Sequence, residues 1–286
     1  MIKPTAEAEK RRIIAERIAV EYSRLPEICS LAIAGSTARG NADRFSDLEI
    51  WMTYSSMPDA GSRLEILRNL DESGNPVLAG SIDEAVMQAE SLVIEGVQVG
   101  LMPGTNDQLL EVPDRAAAQV GEPSEIGIAD FHDCIVLYDP NQMYHIVKAR
   151  LNDYPISAGT RVINRKLQEI DQVCQRDIPR AVESNSPLTC RTAAIEALLR
   201  IVFVLNRDYF PRLKDAEWLL PEMPHLPMNF TRDIASLSTA SECVGQALLI
   251  QKVTGSLVKM ARQVWPEHLD PEIMHKFRTQ ENCCGS

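Results

Sequence analysis

Leu31-Ala32-Ile33-Ala34 runs straight into Gly35-Ser36, and eleven residues after Ser36 a second apolar run carries Asp47 and Glu49. The first run reads as a short buried strand, and Gly35 lets the backbone turn and come close to a ligand. Ser36 and Thr37 are favoured N-cap residues, so a short helix is expected to open after Gly35. Strand side chains alternate between faces, so Asp47 and Glu49 project on one side while Leu48 and Ile50 project on the other. Two carboxylates beside a turn with free backbone N–H groups suit a divalent cation and a polyphosphate. Their hard oxygens are the donors that Mg²⁺ takes, with Mn²⁺ as a substitute.

Gly35-Ser36-Thr37-Ala38-Arg39-Gly40 followed by Phe45-Ser46-Asp47-Leu48-Glu49 resembles the signature of the DNA polymerase β-type nucleotidyltransferase superfamily. The wording is that of its small bacterial members, the aminoglycoside and lincosamide type and uncharacterised DUF4037-like proteins. Glu95-Gly96-Val97-Gln98-Val99 reads as the later hairpin and Val136 to Pro140 as the end of a catalytic domain. Leu205 to Lys214 is similar to a segment in the helical half of uncharacterised relatives. The resemblance implies Mg²⁺-dependent transfer of a nucleoside monophosphate, AMP from ATP first among the NTPs, onto a hydroxyl of a small molecule. It assigns Asp47 and Glu49 to metal and catalysis, and Gly35, Ser36, Arg39, Ser46 and Lys214 to the nucleotide.

One position departs from that pattern. Family members carry a third carboxylate on the strand after the hairpin, and here the matching residue is Gly100. An in-line displacement clamped by two metals needs both the attacking and the leaving oxygen held. The alternative reading is therefore a catalytically impaired nucleotide-binding protein, or a protein-interaction, antitoxin-like module. Glu95 is either a replacement acid or an exposed residue of a two-residue turn. Arg39 either makes bidentate contacts to phosphate or is a solvated helix arginine against Asp43. Ser46 orients the metal ligand or caps a turn; Lys214 reaches a phosphate or pairs with Asp215. Glu196 with Arg200 at i+4 reads as a structural ion pair, and Asn206 and Tyr209 either fix the following proline turn or touch substrate.

The 286 residues are 45% hydrophobic and 24% charged, the balance of a globular chain. A net charge of −11 argues against general nucleic-acid binding, which needs a basic surface. No run approaches the ~20 apolar residues of a membrane span. Seven scattered cysteines and a charged start without an apolar signal core are expected of reduced thiols in a cytoplasmic protein.

The pattern is α+β. Strands mix with helices up to about residue 150: helices near 6–24, 59–71 and 141–152, strands near 86–94 and 97–102, a helix from Asn106 and an edge strand at Ile135 to Leu137. Beyond residue 158 helical periodicity dominates, with a proline-rich joint at 211–227 and a helix over 239–264. The expected division is a nucleotidyltransferase domain at 1–150 and a helical domain at 151–286 that closes the substrate cleft.

Overall fold

Thr5 starts the first helix, α1 (Ala6–Tyr22), by accepting the Ala8 N–H at 3.0 Å, and Glu7 and Glu9 complement the positive helix end. A stripe of Ile14, Ala15, Ile18, Ala19 and Tyr22 faces the core. That stripe covers a five-stranded mixed sheet whose strands lie in the order Glu90–Ile94, Val97–Thr105, Leu48–Tyr54, Ile28–Ile33, Ile135–Tyr138. Residues 2–78, 90–177, 179, 180, 183, 189–240 and 242–266 are described in this computed structural model.

The central strand β1 (Ile28–Ile33) is buried along its whole length and runs antiparallel to β2 (Leu48–Tyr54) and to the edge strand β5 (Ile135–Tyr138). Between β1 and β2 lies the short helix α2 (Gly35–Arg39). After β2 come α3 (Ala60–Leu70), β3 (Glu90–Ile94) and β4 (Val97–Thr105), with β4 parallel to β2 and antiparallel to β3. Glu95 and Gly96 join β3 to β4 with φ of 51° and 74°. Two central residues at positive φ match the twist of a tight hairpin. The part of the expected strand before residue 90 lies outside the described residues.

Thr105 and Gln108 form a reciprocal capping box at the start of α4 (Asn106–Leu110). Two helices, α5 (Val112–Gln119) and α6 (Glu125–Asp133), precede β5, and α7 (Met143–Leu151) follows it. Neither α5 nor α6 is read from hydropathy.

The later chain is helical: α8 (Ile156–Gln172), a π-turn at Val173–Asp177, α9 (Thr189–Leu205), α10 (Leu213–Leu219), α11 (Phe230–Thr239) and α12 (Cys243–Val264). The joint expected at 211–227 thus contains a helix, and the expected helix over 239–264 is preceded by a separate one. Val162, Ile163, Leu167 and Ile170 of α8 are buried, as are Ala194, Leu198, Ile201, Val202 and Leu205 of α9. Gly159 lets α8 approach its neighbours, since a Cβ there would fall 2.8 Å from Trp265 and 2.9 Å from Tyr154 and Val204.

The chain divides into two compact units, residues 1–116 with 127–153, and 117–126 with 154–286. Residues 117–126 go with the later helices for a polar reason. Buried Glu125 accepts Arg200 Nη1 at 2.8 Å, Gly121 N–H at 2.9 Å and Phe210 N–H at 3.1 Å. Burial pushes the Glu125 carboxyl up, against those hydrogen bonds and the Arg200 charge. Arg200 also reaches Glu196 at 2.9 Å, the expected i+4 pair, and lies over the Phe210 ring. No helix among the described residues is long and apolar enough to cross a membrane.

Candidate functional site

The end of β1 and the start of β2 build one corner. Ile33 lies opposite Ile50, and the Ala34 N–H donates to the Glu49 carbonyl at 2.9 Å. Gly35 then turns at φ +63°, the left-handed region that side chains avoid. The turn brings its α-carbon under the Glu49 carboxylate, so closely that a Cβ at position 35 would stand 2.1 Å from Glu49 Oε2. The helix α2 therefore begins at Gly35, with Ala34 at its N-cap and no side-chain cap, whereas Ser36 and Thr37 are expected as caps. Both are buried inside it, at 6% and 1% exposure, and Thr37 Oγ1 has no hydrogen-bond partner among the described residues. Gly40, at φ +86°, closes the helix by donating to Ser36 O.

Asp47 is exposed and stands just before β2, while Leu48 and Ile50 are fully buried and Glu49 is half-buried. The alternation puts both acids on the face away from the core. Ser46 organises the approach to them. Its Oγ accepts the Asp43 N–H at 3.0 Å and donates to Asp43 Oδ1 at 2.9 Å, and Phe45 N–H donates to the same oxygen at 2.9 Å. Ser46 thus caps a turn, and the turn leads into the first acid.

Gly35→Ala is expected to combine left-handed backbone strain of roughly 1–2 kcal/mol with displacement of the Glu49 side chain. The protein should still fold, because the colliding atom ends a flexible side chain, and on the nucleotidyltransferase reading proposed below metal-dependent nucleotide binding should weaken at least tenfold. Thermal melting and nucleotide calorimetry on the same preparation check both halves.

The parallel register sets Gly100 of β4 beside Glu49, and Ser91 of β3 beside Gly100. A Cβ at Gly100 would meet only Met102 Cε, at an ordinary 3.5 Å, so the position has room for a side chain and carries none. Glu95 does not replace it. It sits at the hairpin tip, ion-paired with Arg17 at 2.6 Å, with its carbonyl accepting Lys10 Nζ. Among the described residues, Asp47 and Glu49 belong to no group of three or more metal-ligating side chains lying within 4.8 Å of one another.

Residues 123–219 match DUF4037, described as a domain of unknown function. A search of curated proteins found no match. A nucleotidyltransferase-like protein from Exiguobacterium sibiricum 255-15 has a similar structure at 11% identity and TM-score 0.38, over 96% of this chain and 89% of that one. The Escherichia coli MS115-1 CdnC:HORMA-deltaN complex matches at 13% identity and TM-score 0.32, over 89% and 93%. The CCA-adding enzyme with CTP matches at 13% identity and TM-score 0.25, over 96% and 70%. Likeness this distant assigns neither activity nor substrate, and the DUF4037 segment begins after both acids.

Arg39 is committed elsewhere. It occupies the last turn of α2, with its side chain 1% exposed, and donates to Asp133 Oδ2 at 2.7 Å and Asp130 Oδ1 at 2.8 Å. A buried guanidinium needs such carboxylates, and these pairs form an ion-pair network joining α2 to α6. Burial alone would raise the Asp133 carboxyl, but the hydrogen bond from His132 and the Arg39 charge hold it below the usual range. His132, at the end of α6, bonds Asp133 Oδ1 and Asn152 Oδ1 through its two ring nitrogens.

Lys214 is exposed in the first turn of α10, within the second unit. Asn206 holds the later proline loop by exchanging hydrogen bonds with the His225 backbone, and buried Tyr209 packs on Tyr154. Cys29, Cys134 and Cys174 are free thiols; Cys283-Cys284 lies outside the described residues. The residue that hydropathy reading passes over is Arg11, a buried charge in the apolar stripe of α1 that reaches the Ser46 carbonyl. The signal was present: an arginine at i−3 and i−4 from Ile14 and Ala15 sits on the face that should be apolar.

Proposed function

We propose that this chain is a Mg²⁺-dependent nucleotidyltransferase of the polymerase β type, acting on a small-molecule hydroxyl. The observation that carries the reading is the contact between the Gly35 bend and the Glu49 carboxylate, with exposed Asp47 two residues earlier, just before β2. The donor set fits the ion: two carboxylates with hard oxygens, on the solvent side of a rigid sheet corner. Asp47 and Glu49 would hold Mg²⁺, which when bound neutralises phosphate charge and polarises the phosphoryl oxygens.

The chain's own residues do the positioning. The Gly35–Ser36 bend lets backbone approach a triphosphate closely, and the buried strands β1 and β2 hold the corner still. In the proposed reaction an acceptor oxygen forms a bond to the α-phosphorus of ATP, the bond to the β-phosphate oxygen breaks, and pyrophosphate leaves. The acceptor's hydroxyl proton leaves to solvent as the new bond forms, and Gly100 has no side chain to accept it.

The test is transfer of label from α-³²P-ATP in a metabolite screen with Mg²⁺. A labelled acceptor supports the reading; nucleotide binding with no transfer to any acceptor contradicts the transferase half. Gly100 favours one second reading, a nucleotide-binding protein without transfer. Labelled product formed by Gly100→Asp but not by the wild type would establish that reading instead.

A further inference from the structure

The helix α1 is more than a cover for the sheet, because its N-terminal half runs along the segment that joins the Gly35 bend to Asp47. Thr5 N–H donates to Gly40 O at 2.9 Å, Thr5 Oγ1 to Ala42 O at 2.6 Å, and Arg12 Nη2 to Ala38 O at 3.2 Å. Arg11 completes the series with Nε at 3.0 Å and Nη2 at 2.7 Å from the single carbonyl oxygen of Ser46. Four carbonyls between residues 38 and 46 thus take donors from one short stretch of helix. Arg11 is 2% exposed, and its remaining donor Nη1 is occupied by the Glu7 carbonyl and carboxylate.

We propose that Arg11 is the positioning residue for the cation site, fixing the peptide between Ser46 and Asp47 so that the Asp47 carboxylate is held where Glu49 can share its ligand. The proposal rests on the metal-site reading above. Its physical basis is the contrast along the loop. Asp43, Arg44 and Phe45 are exposed, Phe45 at 80%, whereas Ser46, the residue before Asp47, is 8% exposed and is held by Asp43 at its hydroxyl and by Arg11 at its carbonyl. A ligating side chain has to stay within about 0.5 Å of its working place. Two donors of a planar guanidinium on one carbonyl fix both distance and direction, which one ammonium cannot do. Burying a charge is unfavourable unless it is well hydrogen-bonded, and here each of the three guanidinium nitrogens donates to the loop or to Glu7.

The experiment measures Mn²⁺ affinity by electron paramagnetic resonance in the presence of ATP, with urea stability measured in parallel. The proteins are wild type, Arg11→Met, Arg11→Lys and, as a stability-matched control, Ile18→Val on the same helix. Arg11→Met should weaken Mn²⁺ at least tenfold, Arg11→Lys should recover part of the loss, and Ile18→Val should leave affinity at the wild-type value. If Arg11→Met lowers stability and binds Mn²⁺ as the wild type does, the residue is structural only and the proposal fails. If Arg11→Met does not fold, an Arg11→Lys protein with wild-type affinity overturns it equally. A wild type that binds no Mn²⁺ with ATP overturns the metal-site reading itself, a separate and recognisable result.

Discussion

Asp47→Ala is expected to remove Mg²⁺-dependent nucleotide turnover while leaving the protein as stable as before. The side chain is exposed and its neighbours Leu48 and Ile50 carry the packing of this end of β2, so little structure depends on it. The functional loss should be large. Removing one preorganised charge-stabilising group from an active site typically reduces turnover roughly 10²–10³-fold, and here one of two ligands would go. Glu49→Gln should follow the same course with a second effect, since its carboxylate stands against Gly35. The amide keeps the shape and loses the charge, so melting should change little while Mg²⁺ affinity falls. Equal turnover in wild type and Asp47→Ala would remove this acid from the chemistry.

Arg63→Met is expected to produce the largest stability loss. Arg63 on α3 is 5% exposed and pairs through Nη1 with Oε1 of Glu90, which is fully buried on β3; Tyr22 OH reaches the other oxygen at 3.3 Å. Breaking one side of a buried pair leaves an uncompensated charge and costs about 3–5 kcal/mol. In this size range that is a fall of about 10 °C or more in melting temperature. The double variant Arg63→Met/Glu90→Leu should regain most of it, since apolar replacement of both partners is often neutral.

The pH dependence has a definite sign. Burial pushes the Glu90 carboxyl above its ordinary value, against the opposing Arg63 charge and hydrogen bond. Losing Arg63 raises it further, so the folded variant holds a proton that the unfolded chain releases. Its deficit should be smallest in acid, below the ordinary glutamate value, and grow as pH rises through the folded value. Urea unfolding from pH 4 to 8 reads this directly.

What the sequence makes legible in this chain is what is local. The turn at Gly35, the alternation around Asp47 and Glu49, the Glu95–Gly96 hairpin and the helix start after Thr105 each announce themselves within a few residues. Partner choice does not. Arg39 finds its carboxylates 91 and 94 residues away, Arg11 its carbonyl 35 away and Arg63 its acid 27 away. No periodicity encodes such pairs, and an arginine after a glycine loop looks the same whether it meets phosphate or Asp130. The grouping of residues 117–126 with the later helices is of the same kind, because Glu125 within that segment is held by Arg200, 75 residues away. Gly100 shows a different case: the family resemblance singles it out as the third-acid position, and only the parallel register sets it beside Glu49.

The central claim is that Asp47 and Glu49 grip one divalent cation together with its nucleotide at the Gly35 bend. Isothermal titration of the wild type with ATP, with Mg²⁺ and then with EDTA, tests it most directly. The account predicts saturable binding that needs Mg²⁺ and is lost in both Asp47→Ala and Glu49→Gln. Binding that ignores Mg²⁺ and survives both substitutions, or no binding at all, contradicts it.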